Sequence, residues 1–281
     1  MKGATLLIAS LVVYGLLIVP FSEQMRTKPF VEKLGYIPQG EVLRMFSGDQ
    51  KQSMASGLMT RILIYFGTLV EKSESKIDVP PDYFAIYKMI DGVTKLDPYN
   101  MDAYYFAQAV LVWDVKRIKE VNALLDYGMK YRDWDFYLPF FAGFNNAYFL
   151  KDYEKAARYY KRAGDITGDE LHVNLAGRYF YETGQTDLAI AYLNTMIRSA
   201  KSDAIRKSFQ TRLQALKEVK RVEQALVRYR TGHGGRVPSL AELVDKGYLD
   251  PPPLDPYGGS FYLDETGMVR TTSKFARRTG D

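Results

Sequence analysis

A repeat is the feature that most limits what this chain can fold into. The segments VNALLDYGMKY beginning at 121, AARYYKRAGDI at 156 and AIAYLNTMIRS at 189 align on one another, 35 and then 33 residues apart. Within each, small or apolar residues recur seven apart, as Val121/Gly128, Ala156/Ala163 and Ala189/Met196. A period of this length holds two short helices and a turn. Such a unit cannot bury its own apolar face, so neighbouring units must stack. Composition fits packed helices: 47% of residues are hydrophobic and 25% charged, as in ordinary globular chains. The 22 tyrosines and 15 phenylalanines suit helices that pack through rings whose hydroxyls still reach water.

The repeat resembles the tetratricopeptide family. The third unit, LAGRYFYETGQTDLAIAYL, is similar to that family's helix A, a tight turn at Gly184, and a helix B that begins TDLAIAYL. The second, FAGFNNAYFLKDYEKAARYYKRA, follows the same plan. The first, YYFAQAVLVWDVKRIKEVNALLDYG, departs from it at the turn, where Val115-Lys116 stands in place of glycine. LDPYNMDAYYFA, leading into it, resembles the family's connector. The resemblance implies a mainly α fold over 81–200, a solenoid of antiparallel helical hairpins whose concave side is built from the A helices. Counting along the pattern places Phe106, Val110 and Trp113, then Phe141, Asn145, Tyr148 and Phe149, then Leu171, Asn174, Arg178 and Tyr181 on that side. It implies a groove for a protein or peptide partner, with Phe106, Trp113, Phe141, Asn145, Tyr148, Asn174, Arg178 and Tyr181 as its contacts. Asn174 and Arg178 lie four apart on one helical face. With Asn145 they resemble the clamp some members use for a peptide's C-terminal carboxylate. The competing reading is that they solvate the groove or bond a neighbouring helix.

Residues 4–21, ATLLIASLVVYGLLIVPF, form an uncharged run of 18 behind Lys2. That length reaches the lower limit for crossing the hydrocarbon core as a helix. It ends in IVPFSEQ without the small-x-small exit of a cleaved signal, so 1–22 reads as an uncleaved transmembrane signal anchor in contact with the lipid bilayer. Lys2 on one side and Arg26, Lys28 and Lys33, offset by Glu23 and Glu32, on the other leave the basic-residue count undecided. A short leader before a single anchor favours export, giving a single-pass protein of the bacterial inner membrane with its bulk in the periplasm. Residues 23–80 read as a juxtamembrane helical segment. Within it, Leu58, Ile62, Ile64, Tyr65 and Leu69 fall at helical spacing around Arg61 and are expected to pack on the body, with an interfacial membrane helix as the other option. Pro80 and Pro81 should start the next helix.

The last part, 201–276, changes character. Nine Lys/Arg between Lys201 and Arg230 face Asp203, Glu218 and Glu223, so this stretch carries +6 of a chain whose net charge is +5. It is long enough for a continuous helix of about 45 Å, with Val219, Val222, Ala225, Leu226 and Tyr229 as its apolar stripe. Ser239 with Glu242 has the form of a capping box. SFYL and MVRT read as hairpin strands joined by DETG, with Gly267 free to take positive φ. The proline-stiffened LDPYGG ahead of them reads as a folding corner. The order of parts resembles the globular head of type II secretion pseudopilins: Ala225-Leu226 and Tyr229, Pro238-Ser239-Leu240 and Leu243, Gly247-Tyr248-Leu249, Asp255-Pro256-Tyr257-Gly258, then Arg270 and Ser273. That family's methylated N-terminal helix is not recognisable in residues 1–25, and its calcium-binding aspartates are reduced to Asp264 with Glu265. The resemblance implies a small C-terminal α+β module and a cell-envelope location, with a pilus or secretion apparatus as the alternative setting.

No reaction can be read. The chain has no cysteine and only His172 and His233, so thiolate sites, triads and histidine metal centres are poorly supplied. Asp152/Glu154 and Asp264/Glu265 fall in expected turns, where carboxylates are commonplace. No catalytic group, cofactor or metal is expected. Nucleic acid is disfavoured because the basic segment carries no alternating aromatic platforms.

Overall fold

The computed structural model describes residues 2–27, 34–35, 38, 40–75, 79–273 and 275. Lys28, Glu32 and Lys33 of the orientation count, and Asp78 ahead of the double proline, lie outside them. The described chain is mainly helical, with one two-stranded antiparallel sheet. It divides into two compact units, Met1–Leu96 and Asp97–Asp281.

The first unit contains α1 (Lys2–Thr27), α2 (Gly40–Phe46), α3 (Lys51–Glu74) and α4 (Tyr83–Leu96). In α1 the described large apolar side chains, including Leu7, Leu11, Val13, Tyr14, Leu16, Leu17, Val19 and Phe21, are all exposed. α3 is two-faced. Ala55, Met59, Ile62, Tyr65 and Leu69 recur every three or four residues and are buried, and α3 packs on α4. Leu63, Ile64 and Val70 remain exposed. Gly48–Glu74, a 3₁₀ turn plus α3, is long and apolar enough to cross a membrane. Among the described residues it is the one helix that qualifies; of the span expected at 4–21, Val13–Glu23 stands as a shorter apolar helix. Pro80 and Pro81 precede α4 as expected. Asp82 starts it: its carboxylate accepts from the Ala85 amide at 2.9 Å and its own amide donates to the Tyr65 hydroxyl at 2.9 Å. α4 belongs to this unit rather than to the repeats.

The second unit runs through α5 (Met101–Phe106), α6 (Ile118–Gly128), α7 (Tyr137–Asn145), α8 (Tyr153–Thr167), α9 (Glu170–Glu182), α10 (Thr186–Arg198) and α11 (Asp203–Gly232). From α5 to α11 each helix packs on the next one in the chain. Side chains mark several starts: Asn100 accepts from Ala103, Asp152 from Lys155, Asp169 from Leu171 and Ser202 from Ile205. The tight turns inside the pairs put Lys116 (φ 56°), Lys151 (φ 56°) and Gly184 (φ 71°) in the left-handed region, at the same 35- and 33-residue spacing as the sequence pattern. Lysine takes the glycine role twice, at a cost of roughly 1 kcal/mol each. Before those two turns the helices loosen into π turns, Ala107–Leu111 and Asn146–Leu150.

The C-terminal part is not a separate lobe. α12 (Leu240–Asp245), β1 (Phe261–Leu263) and β2 (Val269–Thr271) close over α9 and α11, and one apolar cluster runs from Ala147 through α8–α11 to Phe275. Leu263 pairs with Val269 and Phe261 with Thr271. Arg270 on β2 bridges Glu182 of α9 at 2.7 Å and Asp264 at 3.0 Å. The capping box forms by half: Ser239 accepts from the Glu242 amide at 3.1 Å, but the Glu242 carboxylate turns to the Tyr229 hydroxyl at 2.5 Å. In the LDPYGG corner, buried Asp255 accepts from the Tyr257 amide at 2.8 Å and from the Thr271 hydroxyl, which fixes Tyr257 over α11.

Candidate functional site

The eight residues expected to line one groove have four different fates. Trp113 and Tyr148 come together. Trp113 is 46% and Tyr148 54% exposed, and their ring centroids are 6.1 Å apart. Phe149 lies edge-on to Trp113 at 5.2 Å, and Phe144 stacks on Tyr148 at 5.3 Å. The two left-handed lysines cover this cluster, with Lys116 Nζ 5.1 Å from the Phe149 ring and Lys151 Nζ 5.3 Å from Tyr148. The backbone geometry that lets the first two pairs turn thus also places two cations on an exposed aromatic surface. Phe106 is partly exposed beside it in sequence. Phe141, also partly exposed, packs with Tyr105 at 5.6 Å and Tyr137 at 6.2 Å instead.

Asn145 is no part of any groove. It is fully buried, exchanges two 2.9 Å hydrogen bonds with Gln108, and donates to Asn122 at 2.9 Å. This amide cluster ties α6, α7 and the first π turn together. The reason for the correction is backbone geometry. A π turn spaces its hydrogen bonds i to i+5, so straight 3.6-residue counting assigns the wrong face near each of them. Tyr181 is also corrected: it is fully buried, and its hydroxyl donates to the Val269 carbonyl under the hairpin. Burial drives its phenol well above the ordinary value.

Asn174 and Arg178 do come together, but with residues of α11 and the corner rather than with Asn145. Asn174 Nδ2 approaches Glu170 Oε1 at 3.4 Å and Ser208 Oγ at 3.5 Å, and the Ser208 hydroxyl donates to the same Glu170 oxygen. One turn further along both helices Arg178 faces Arg212. Arg212 lies flat against Gly177, where an added Cβ would sit 3.5 Å from Arg212 Cδ. Its guanidinium is 5.0 Å from the Phe275 ring and 5.9 Å from Tyr257. Burial pushes Arg212 below the ordinary guanidinium value; the nearby Tyr257 opposes that and Arg178 adds to it. Among the described residues neither arginine has a carboxylate within ion-pair distance. Arg178 Nε, Arg212 Nε and Nη1, and Asn174 Oδ1 are buried without a hydrogen-bond partner.

Arg212 and Tyr257 are the residues that repeat counting missed. Arg212 lies between Phe209 and Leu213 on the buried stripe of α11, and a charge at such a position is the signal available in the sequence. Both histidines are packing groups. Thr167 donates its hydroxyl to the Ala163 carbonyl at 2.9 Å, so it accepts from His172 Nδ1–H at 2.9 Å. The His172 ring rests 5.2 Å from Phe136 and 5.3 Å from Phe140, and burial lowers its pKa from the ordinary value. His233 stacks 4.0 Å from Tyr229. No protein-family model matches this chain, nor does any curated protein or any solved structure.

Proposed function

We propose that the chain is a membrane-anchored, tetratricopeptide-like scaffold of the bacterial cell envelope that binds a protein partner and catalyses no reaction. The exposed aromatic and lysine surface of the first two helical pairs carries this reading. Trp113 and Tyr148 present wide rings to solvent, an arrangement typical of interface anchors rather than of surfaces that face only water. The regular spacing of the left-handed turns supports a stacked repeat, and the exposed apolar helix α1 supports attachment to a bilayer; the short leader before it favours a body on the periplasmic side. The partner docks on the Trp113–Tyr148 face rather than in a groove through Asn145.

A photo-crosslinking residue at Tyr148, introduced into the full chain and activated in intact cells, tests the reading. We expect one dominant protein adduct, absent when the same group replaces exposed Val227 on α11. Recovery of the chain in membranes with no adduct at Tyr148 would overturn it.

A second reading, a component of a type IV pilus or type II secretion-like apparatus, is favoured by the hairpin that follows the Asp255–Gly258 corner and the long helix α11. Co-purification with a pilin supports it. Intact piliation and secretion in a deletion strain would count decisively against it.

A further inference from the structure

We propose that Arg178, Arg212 and Asn174 form a binding site for a phosphate group that still carries a proton, either inorganic phosphate or the monoester of a small molecule. The site goes beyond the scaffold reading and does not depend on it. Two parallel registers build it: Asn174 and Arg178 are one helical turn apart on α9, Ser208 and Arg212 one turn apart on α11, and the LDPYGG corner lays Tyr257 across the end.

The chemistry of the ligand follows from the unpartnered atoms. Arg178 Nε and Arg212 Nε and Nη1 are three buried nitrogens with hydrogens to donate. Two guanidinium groups with no carboxylate in ion-pair contact attract an oxyanion, and leaving such buried groups unpaired is costly; the nearby Glu170 carboxylate is held by Asn174 and Ser208 instead. Asn174 Oδ1 is a buried acceptor with nothing to accept. Its amide cannot be turned round to supply a donor there, because Nδ2 faces Glu170 Oε1, an oxygen that only accepts. The site therefore asks for a ligand with several acceptor oxygens and one O–H donor. A carboxylate or sulfate lacks the donor. A phosphate that carries a proton has both; a monoester loses its last proton at about pH 6, whereas inorganic phosphate keeps one O–H after its own titration near neutrality. The four side chains Asn174, Arg178, Arg212 and Tyr257 are each partly exposed, so the cluster is reachable from solvent. Glu170 and Arg178 on α9, Arg212 on α11 and Tyr257 at the corner are the charged and titratable groups that face it. The imidazole of His172 faces Thr167 and the Phe136 and Phe140 rings instead.

Isothermal titration of the full chain in detergent with inorganic phosphate, glycerol 3-phosphate, sulfate and acetate, at pH 6 and pH 8, tests the proposal. We expect glycerol 3-phosphate to bind several-fold more tightly at pH 6 than at pH 8, where it has lost its last proton. Inorganic phosphate, which keeps an O–H at both, should show no such loss, sulfate should bind more weakly without that trend, and acetate should give no signal. Glycerol 3-phosphate binding as tightly as inorganic phosphate identifies a monoester site, and binding of inorganic phosphate alone identifies a free-anion site. Arg178→Gln and Arg212→Gln should each weaken phosphate binding about tenfold, a change of 1.4 kcal/mol. Asn174→Ala should abolish the pH trend while leaving sulfate unchanged. If Arg212→Gln does not fold, Arg178→Gln and Asn174→Ala decide the matter, since both side chains are partly exposed. Absence of phosphate binding, equal binding of acetate, or phosphate affinity unchanged in Arg178→Gln overturns the proposal.

Discussion

Repeat counting puts Asn145 of α7 and Arg178 of α9 on one face, yet their surroundings are opposite. Around Asn145 each amide that faces another is answered: Gln108 and Asn122 saturate it in a fully buried cluster. Around Arg178 the donors outnumber the acceptors, and three guanidinium nitrogens and one amide oxygen are left over. A closed polar cluster fixes structure, because each member would be stranded by loss of another. An open polar cluster is where a molecule from outside can complete the set. Polar residues on a repeat face thus cannot be sorted by type or spacing; the sum of donors and acceptors sorts them.

Substitution at the closed cluster should show the largest effect. Asn145→Ala strands Gln108 and Asn122 together and should cost about 3 kcal/mol in urea unfolding. Arg178→Gln should change stability by less than about 0.5 kcal/mol in the same melt. Equal losses for the two would erase the contrast. Tyr181→Phe comes next. It removes one donor from the Val269 carbonyl at the join between α9 and the hairpin, for an expected loss of about 1.5 kcal/mol. A loss near zero would mean that the apolar cluster alone holds the hairpin.

The smallest effect concerns pH. Burial lowers the folded-state pKa of His172 below the ordinary 6.5, so the unfolded chain takes up its proton first. Its contribution is therefore constant above that pH and is lost as pH falls below it. Urea midpoints of the native chain and His172→Phe at pH 7.5 and 5.5 should show a smaller acid decline in the variant. An identical decline would assign the acid sensitivity to other groups.

Much of the helical layout was legible because local rules decide it. The N-cap residues Asn100, Asp152, Asp169 and Ser202, the turn at Gly184 and the stripe on α11 all act within a few residues of themselves. The site was less legible, for two physical reasons. The π turns at 107–111 and 146–150 break the 3.6-residue count that separates buried Asn145 from exposed Tyr148. Tyr181 is covered by a strand 88 residues later in the chain, a contact no periodicity encodes. Separations of 34 and 79 residues likewise hid Arg212 and Tyr257 from Arg178. The expected division between repeats and C-terminal module was read from a change of composition, whereas the apolar cluster from Ala147 to Phe275 crosses it.

That shared cluster sets a direction on how such a chain can lengthen. Repeat arrays ordinarily gain units by duplication at any point, since one unit meets the next through the same surface. Here a copy inserted after α10 would part Tyr181 and Glu182 from the Val269 and Arg270 they hold, and would leave a hairpin facing a helix that lacks its partners. A copy inserted ahead of α7 would leave that closure untouched. The hairpin closes the carboxy-terminal end of this run of packed helices, and added helices leave that closure intact when they enter ahead of α7.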